Sequence, residues 1–316
     1  MSDNKPLVSI CCATYNQVNF VRQCFDGFLK QKTNFPFEVL VHDDASTDGT
    51  AEVIREYADR YPQIFLPILQ SENQYRKGNK KITAMFNLPR ARGKYIAICE
   101  GDDYWSDPNK LQKQVDFLEN HPEYSLYCHN WSVQTGETFS PSPVHDLYTS
   151  PMSFSFATLP WVWITKALTL MFRREAVDPQ ELLQYSFCRD VHIVYYALKK
   201  GKGYYNPEVM ACYRMHEGGI WSQHDANEKN KTTYLLYKEL YTHEENKSLR
   251  KRYMNATLAY FNGLAFGKGT WYHFWTNAKL YFESVRNISD LKDVVFCLGG
   301  LVPTSVVKFL MRTFKI

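Results

Sequence analysis

Short apolar runs alternate with segments of helical periodicity in the first part of the chain. Continuous apolar runs are typical of strands buried on both faces. Such runs occupy residues 7–13, 37–41, 65–69, 95–99 and 124–129. Between them, apolar residues recur at helical spacing, which predicts helices over residues 18–29, 47–61, 82–91 and 108–120. This alternation predicts an α/β fold, with a mostly parallel sheet flanked by helices.

The pattern changes after this regular part. Residues 135–160 are polar and loop-like, a strand-like run follows at 168–172, and further segments predict a helix over 190–200 and a strand over 204–213. From about residue 226 the chain becomes helical and aromatic, with helical segments over 253–266 and 271–285. We therefore expect an α/β domain over residues 1–225 and a C-terminal helical extension over 226–316.

Charge is distributed unevenly along the 316 residues. The formal net charge is +4, but residues 1–224 hold 23 basic and 25 acidic residues, whereas residues 225–316 hold 14 and 8. A slightly acidic body argues against nucleic acid as a partner. The basic C-terminal region suggests an anionic surface, most simply a membrane leaflet.

The C-terminal tail carries its own pattern. Residues 294–307 are uncharged and are followed by Lys308, Arg312 and Lys315. The segment is too short to span a bilayer comfortably, so we expect an interfacial or re-entrant segment on an anionic leaflet. The alternative is a buried helix that closes the C-terminal domain.

The eight cysteines form no C-x-x-C pair, and several lie in apolar runs, as reduced core cysteines do. The N-terminus has no apolar signal region, and no apolar stretch is long enough for a spanning helix. These features predict a cytoplasmic protein that is peripheral on the inner face of a bacterial cell membrane.

Two predicted strands end in pairs of carboxylates, Asp43-Asp44 and Asp102-Asp103. Ligands of parallel α/β sheets bind outside the carboxyl ends of the strands. Adjacent carboxylates repel each other unless a cation lies near them, and oxygen ligands suit Mg²⁺ or Mn²⁺. One carboxylate of the first pair could hold a ribose or a base edge. The alternative for both pairs is a turn that caps the following helix.

Two further residues are candidates for a site. His216 lies in a glycine-rich loop after a strand, where a neutral imidazole could complete a carboxylate site or be merely structural. Asp190 begins a predicted helix. It could serve as a general base, or it could simply be a negative charge that is favourable at a helix N-terminus. The chain has no Walker-type loop, no Gly-x-Gly-x-x-Gly after the first strand and no Gly-x-Ser-x-Gly elbow.

Four segments, taken together, resemble the family 2 glycosyltransferases of GT-A fold. They are VSICCATYN at 8–16, EVLVHDDASTDGT at 38–50, GKYIAICEGDDYW at 93–105 and YRMHEGGIWS at 213–222. The last is similar to the closing motif of a bacterial branch that builds polysaccharides and lipopolysaccharides. The resemblance implies an inverting transferase, a nucleotide-diphosphate sugar donor (most commonly a UDP-sugar), and Mn²⁺ or Mg²⁺.

The resemblance also implies roles for the donor-binding residues. Thr14 and Asn16 would lie at the nucleoside pocket, Asp44 would hold the base or ribose, and Asp102 would face the ribose or donor sugar. For the metal and the chemistry, Asp103 would bind the cation on the diphosphate, His216 would contact the metal or diphosphate, and Asp190 would be the catalytic base. Relatives often have Glu or Gly where this chain has Arg189.

The resemblance suggests that the acceptor is a lipid-linked or growing cell-surface glycan. A sugar-nucleotide pyrophosphorylase would share the sheet and the carboxylates, but it is expected to have a glycine-rich loop where this chain has Thr14-Tyr15-Asn16-Gln17. A non-catalytic sugar-binding protein is the other alternative, and the filled acidic positions count against it.

Overall fold

The computed structural model describes residues 5–160, 162–219 and 223–266. These residues form two compact units that divide between His216 and Glu217. The sequence-based division near residue 225 stays a prediction, and the predicted helix at 271–285 and the tail at 294–307 lie outside the described residues.

Ten strands occur among the described residues, and all lie in the first unit. They are β1 (Val8–Thr14), β2 (Phe37–Asp43), β3 (Phe65–Leu69), β4 (Tyr95–Ile98), β5 (Tyr104–Trp105), β6 (Tyr124–Thr135), β7 (Thr138–Pro141), β8 (Met152–Phe154), β9 (Met171–Arg173) and β10 (Lys202–Met215). The apolar runs thus predict β1–β4 to within a few residues, because a buried parallel strand needs apolar side chains on both faces.

The helices of the first unit are α1 (Val21–Leu29), α2 (Thr50–Arg60), α3 (Lys110–Asn120), α4 (Pro179–Leu183) and α5 (Asp190–Lys200). The second unit contains α6 (Ala226–Glu244) and α7 (Lys247–Phe266). A reciprocal capping box begins α6, in which Asp225 accepts from the Glu228 amide at 2.8 Å and Glu228 accepts from the Asp225 amide at 3.1 Å. No helix among the described residues is long and apolar enough to cross a membrane.

The sheet has two parallel blocks, β3-β2-β1-β4 and β6-β10, which strand β9 joins, and the short strands β5, β7 and β8 pair antiparallel with strands of the second block. Its order is β3-β2-β1-β4-β9-β6-β10-β5, with β7 added to β6 and β8 added to β10. Strands β1–β4 are parallel to their neighbours within the first block, and β6 is parallel to β10. Strand β9 is antiparallel to both β4 and β6, so its three residues hold the blocks together. The α/β class with a mainly parallel sheet is therefore confirmed.

The main hydrophobic core lies between the first block and helices α1–α3. Phe25 of α1 is fully buried, and its ring lies 4.9 Å from that of Phe65 and 5.1 Å from that of Tyr57, measured between centroids. The inward residues Val8, Ile10 and Cys12 of β1 belong to the same core. The helices therefore pack one face of the sheet and leave its carboxyl-end edge open for a site.

The region predicted as a helix over 82–91 departs from the pattern. It consists of a π turn over Thr83–Asn87 and a 3₁₀ turn over Leu88–Arg90. Pro89 cannot donate a hydrogen bond to continue a regular helix. Arg90 instead donates to the Leu66 carbonyl at 2.7 Å and to the Val41 carbonyl at 2.8 Å, so side-chain bonds to the neighbouring strands replace helical ones.

Two other predictions need correction. The loop-like stretch 135–160 contains the short strands β7 and β8, each of which pairs with a long strand of the second block. The predicted strand 168–172 begins as a 3₁₀ turn over Ala167–Thr169, and only Met171–Arg173 pair as β9.

Seven described cysteines are free, and all of them are buried except Cys188, which is half-buried.

Candidate active site

Parallel pairing brings the ends of three strands to one edge of the sheet. Strand β1 pairs with β2 on one side and β4 on the other, so Thr14 lies opposite Asp43 while the residues after Ile98 follow the same edge. The Gly101 amide donates to the Ala13 carbonyl at 3.0 Å and the Asp44 amide donates to the Thr14 carbonyl at 3.0 Å. Both acidic pairs predicted from sequence therefore flank the end of β1.

Gly101 makes the turn after β4 possible because the chain has no room for a side chain there. A Cβ atom at this position would lie 2.6 Å from Cγ2 of Thr14 and 2.6 Å from Oε1 of Gln17. Glycine thus lets the loop from Glu100 to Asp103 lie directly against the residues that follow β1.

The carboxylates of Glu100, Asp102 and Asp103 converge in this turn. One oxygen from each lies within 4.8 Å of the others. Asp103 is buried, with 2% of its surface exposed, and its Oδ1 accepts a hydrogen bond from the Arg214 amide at 2.8 Å. Burial, followed by the charge of Asp102, raises the pKa of the Asp103 carboxyl well above its usual range, although the Arg214 hydrogen bond opposes the shift.

His216 contacts Asp102. Its Nε2 is 3.1 Å from Oδ2 of Asp102, and its ring lies 4.6 Å from the ring of Phe20, measured between centroids. The other oxygen of Asp102, Oδ1, is buried and accepts no hydrogen bond from the described residues. The structure thus brings the three predicted residues Asp102, Asp103 and His216 to one place.

This donor set fits a hard divalent cation. Three carboxylates lie together, one of them is buried, and one buried carboxylate oxygen has no hydrogen bond within the described part of the chain. Uncompensated carboxylates at such distances repel each other, and Mg²⁺ or Mn²⁺ would relieve the repulsion through oxygen coordination. This acidic cluster therefore suits a divalent cation, while the predicted ligands Asp103 and His216 and the identity of the cation stay predictions.

Asp190 lies at the start of α5. Its Oδ1 accepts from the Val191 amide at 3.0 Å, and the side chain is partly exposed. Desolvation by the surrounding protein atoms, followed by the charges of Asp102 and Asp190, raises the pKa of the Glu100 carboxyl to about 7. Water also reaches this exposed side chain and screens these charges. The charges of Arg189 and Lys166 oppose the shift. Asp190 is therefore within electrostatic reach of the acidic turn.

The predicted nucleoside side is organised around Asp43. Its Oδ1 accepts from the Thr14 hydroxyl at 2.9 Å and from the Ser46 hydroxyl at 2.5 Å, and its Oδ2 accepts from the Ser46 amide at 3.0 Å. Asn16 has a positive φ of 51° and accepts from the Thr47 amide through Oδ1 at 2.9 Å. Thr14 and Asn16 therefore hold the loop after β2 against the end of β1.

Asp44 holds a different loop. It is 4% exposed, and its two oxygens accept from the Gln74 amide at 2.7 Å and the Tyr75 amide at 3.0 Å. This fixes the polar segment after β3 next to Tyr15, whose ring lies 5.7 Å from the guanidinium carbon of Arg76. An aromatic ring beside a guanidinium is a suitable surface for a planar base.

The sequence pattern does not single out several residues of this region. Arg214 donates to the Asp102 carbonyl at 2.6 Å and to the side chain of Gln23, and its guanidinium carbon lies 4.5 Å from the centre of the Tyr104 ring. Its position two residues before His216 is the one signal that could have found it. Glu100 directly precedes the glycine of the acidic turn, whereas Lys166 has no sequence signal.

Comparison with known proteins identifies the matching family. The model of "Glycosyl transferase family 2" matches residues 9–178. The uncharacterized protein Rv1520 of Mycobacterium tuberculosis is 39% identical over 224 residues, which cover 68% of this chain and 60% of that protein. The match therefore spans about 60% of the length of this relative. An Escherichia coli protein named UDP-Glc:alpha-D-GlcNAc-diphosphoundecaprenol beta-1,3-glucosyltransferase WfaP is 31% identical over 143 residues, covering 44% of this chain and 53% of that protein.

Two solved structures share the fold at low identity. Residues 1–349 of TarS from S. aureus, in complex with UDP-GlcNAc, give a TM-score of 0.61 at 15% identity and cover 89% of this chain and 81% of that one. The mannosyltransferase PcManGT from Pyrobaculum calidifontis, in complex with GDP-Man and Mn²⁺, gives a TM-score of 0.56 at 16% identity. The match covers 94% of this chain and 80% of that one. The predicted GT-A-type fold is confirmed by these likenesses.

Proposed function

Because this chain belongs to glycosyl transferase family 2, we propose that it transfers a sugar from a nucleoside-diphosphate donor to an acceptor hydroxyl, with inversion at the anomeric carbon. The observation that carries the proposal is the turn from Glu100 to Asp103, whose three carboxylates converge at the carboxyl ends of parallel strands. Asp190 lies within electrostatic reach of this turn and supplies a further carboxylate.

Each residue has a distinct part in this proposal. Asp103 and His216 would hold a divalent cation, which when bound would supply Lewis-acid neutralisation of charge on the donor diphosphate. Asp102 faces the ribose or the donor sugar. Thr14, Asn16 and Asp44 shape the nucleoside pocket, and the ring of Tyr15 beside Arg76 supports the base.

Asp190 supplies the base of the reaction. It accepts the proton of the acceptor hydroxyl as that oxygen attacks the anomeric carbon, while the bond from this carbon to the diphosphate oxygen breaks. One displacement of this kind inverts the anomeric centre and requires no second nucleophilic carboxylate, unlike a retaining glycosidase.

A nucleotide panel tests the donor assignment. We expect UDP-sugars to be the donors. UDP should therefore raise the melting temperature of the protein in the presence of Mn²⁺, and it should do so much less after EDTA treatment. A ligand that binds only the folded chain at 100 times its dissociation constant stabilises it by about 2.7 kcal/mol. GDP and dTDP serve as alternatives in the same panel, because the likeness to neighbours that bind UDP-GlcNAc and GDP-Man leaves the nucleotide open. A chain that responds to none of the three diphosphates would contradict the proposal.

We further propose that the acceptor is a lipid-linked or growing cell-surface glycan. The name of WfaP, which describes a diphosphoundecaprenol-linked acceptor, supports this class of acceptor. The charge distribution also supports it, because residues 225–316 hold 14 basic and 8 acidic residues. In this proposal residues 1–225 are the catalytic domain, and the tail holds them peripherally on the inner, cytoplasmic face of the bacterial membrane.

Removing residues 291–316 should release the chain from vesicles that contain anionic lipid. Each cation near such a surface contributes about 1 kcal/mol, so replacing Lys308, Arg312 and Lys315 with glutamine should weaken vesicle binding by about a hundredfold. Sedimentation with anionic and zwitterionic vesicles measures this, and hydrolysis of the donor is the control that should survive. Aggregation of the truncated chain with loss of donor hydrolysis would instead indicate a core helix.

A further inference from the structure

Lys166 is brought to the acidic turn by the direction of β9. Strand β9 runs antiparallel to β4, with Met171 opposite Ala97 and Phe172 opposite Ile96. The residues that precede Met171 therefore lie towards the carboxyl end of β4, the end that continues into Glu100 and Asp103. A residue far away in sequence thus reaches the same edge of the sheet.

The backbone at Lys166 is held firmly in this place. The Thr169 hydroxyl accepts from the Lys166 amide at 3.2 Å and donates to the Lys166 carbonyl at 2.8 Å. The indole nitrogen of Trp105 donates to the Leu168 carbonyl at 3.0 Å. Because Trp105 follows Asp103 by two residues, the turn that carries Lys166 is tied directly to the acidic turn.

The side chain of Lys166 points towards the same site. Its Nζ lies 4.2 Å from the centre of the Tyr213 ring. Tyr213 directly precedes Arg214, whose amide donates to Oδ1 of Asp103. Within the described residues, the Lys166 ammonium donates no hydrogen bond to a carboxylate, so the aromatic ring orients the cation and leaves its donors available for a ligand.

Electrostatics agree with this geometry. Burial is the main cause of the raised pKa of Asp103, and the charge of Lys166 opposes it. The same charge opposes the raised pKa of Glu100. The positive charge of Lys166 therefore acts on the carboxylates at both ends of the turn from Glu100 to Asp103.

We propose that Lys166 binds the terminal phosphate of the nucleoside diphosphate and stabilises the charge that this leaving group gains. As the bond between the anomeric carbon and the diphosphate oxygen breaks, its electron pair stays on that oxygen, while the acceptor proton passes to Asp190. The ammonium of Lys166 donates to the phosphate oxygens. This inference rests on the proposed transferase function and adds a cationic leaving-group residue to it.

The test compares diphosphate with monophosphate binding. Calorimetric titrations of UDP and UMP, and of GDP and GMP, with Mn²⁺ present, are made on the wild-type chain and on Lys166→Met. We expect the variant to lose about ten- to a hundredfold in affinity for the diphosphate, the range for a charge-assisted contact, and less than about twofold for the monophosphate. In transfer assays with saturating donor, kcat should fall while the acceptor KM stays unchanged, and Lys166→Arg should restore part of the loss.

Lys202→Met is the matched control. The Lys202 ammonium also lies over a tyrosine ring, 6.0 Å from the centre of Tyr124. Lys202 begins β10, however, whereas Tyr213, the ring beneath Lys166, lies near the end of that strand. This variant should bind both nucleotides as the wild type does. Equal losses for diphosphate and monophosphate in Lys166→Met would indicate a structural role, and a raised acceptor KM with unchanged diphosphate affinity would indicate an acceptor residue. Either result overturns the inference. A wild-type chain that binds no nucleotide refutes the proposed function instead.

Discussion

Replacing Asp103 with asparagine should abolish metal-dependent sugar transfer while the fold stays intact. Asparagine keeps an Oδ1 that can accept the hydrogen bond now donated by the Arg214 amide at 2.8 Å, so the packing around this buried residue is preserved. The variant loses the charge that attracts the cation. Because Lewis-acid stabilisation contributes several kcal/mol, the rate should fall on the order of a thousandfold or more.

Two measurements separate this effect from misfolding. Transfer is followed with and without added Mn²⁺, and the melting temperature is followed with Mn²⁺ and UDP together. The wild-type chain should show a rise in melting temperature that Asp103→Asn lacks, and both should melt at similar temperatures without ligands. Asp107→Asn is the control, since Asp107 lies four residues further along the chain, after β5, and pairs with Lys113 at 2.9 Å. Full activity of Asp103→Asn, or wild-type transfer that EDTA leaves unchanged, would disprove the metal assignment.

Replacing Asp190 with asparagine should slow transfer without weakening donor binding. An amide cannot accept the acceptor proton, and loss of a general base lowers kcat by about 10²–10⁴. Oδ1 of asparagine can still accept from the Val191 amide, which Asp190 now does at 3.0 Å, so the start of α5 should be preserved. Steady-state kinetics give kcat, and calorimetry with UDP and Mn²⁺ gives the donor affinity.

Asp178→Asn is a matched control for this variant. Asp178 also stands at a helix start, where its side chain accepts from the Gln180 amide at the beginning of α4. Its replacement should leave kcat unchanged. If Asp190→Asn loses affinity for UDP with kcat preserved, Asp190 is a donor ligand, and the base must be sought elsewhere.

The sequence predicts most reliably what neighbouring residues determine. Buried parallel strands require continuous apolar runs, so β1–β4 can be recognised from the amino-acid sequence alone. The carboxylates at the ends of β2 and β4 can be recognised in the same way. The parallel arrangement then predicts that Asp44 and Asp102 meet at one edge, because strand ends in such a sheet share that edge. The structure does place both pairs beside the end of β1.

What the sequence misses depends on contacts between distant residues. The three residues of β9 have no distinctive pattern, and their antiparallel register with β4 is what brings Lys166 to the acidic turn. Arg90 leaves a regular helix because carbonyls of β2 and β3 accept its side chain. The loop fixed by Asp44 is polar in sequence, and only the structure reveals that the Gln74 and Tyr75 amides donate to one carboxylate.

The late position of β9 in the chain also bears on biosynthesis. As the chain leaves the ribosome, β4 and β6 emerge before Met171–Arg173, the strand that later pairs with both. Until those residues appear, the edges of β4 and β6 that later pair with β9 stay open, and open strand edges are natural templates for pairing with other chains. Because this pairing spans a long sequence separation, it closes slowly. We therefore expect the half-made sheet to be a stage at which the growing polypeptide is prone to aggregate.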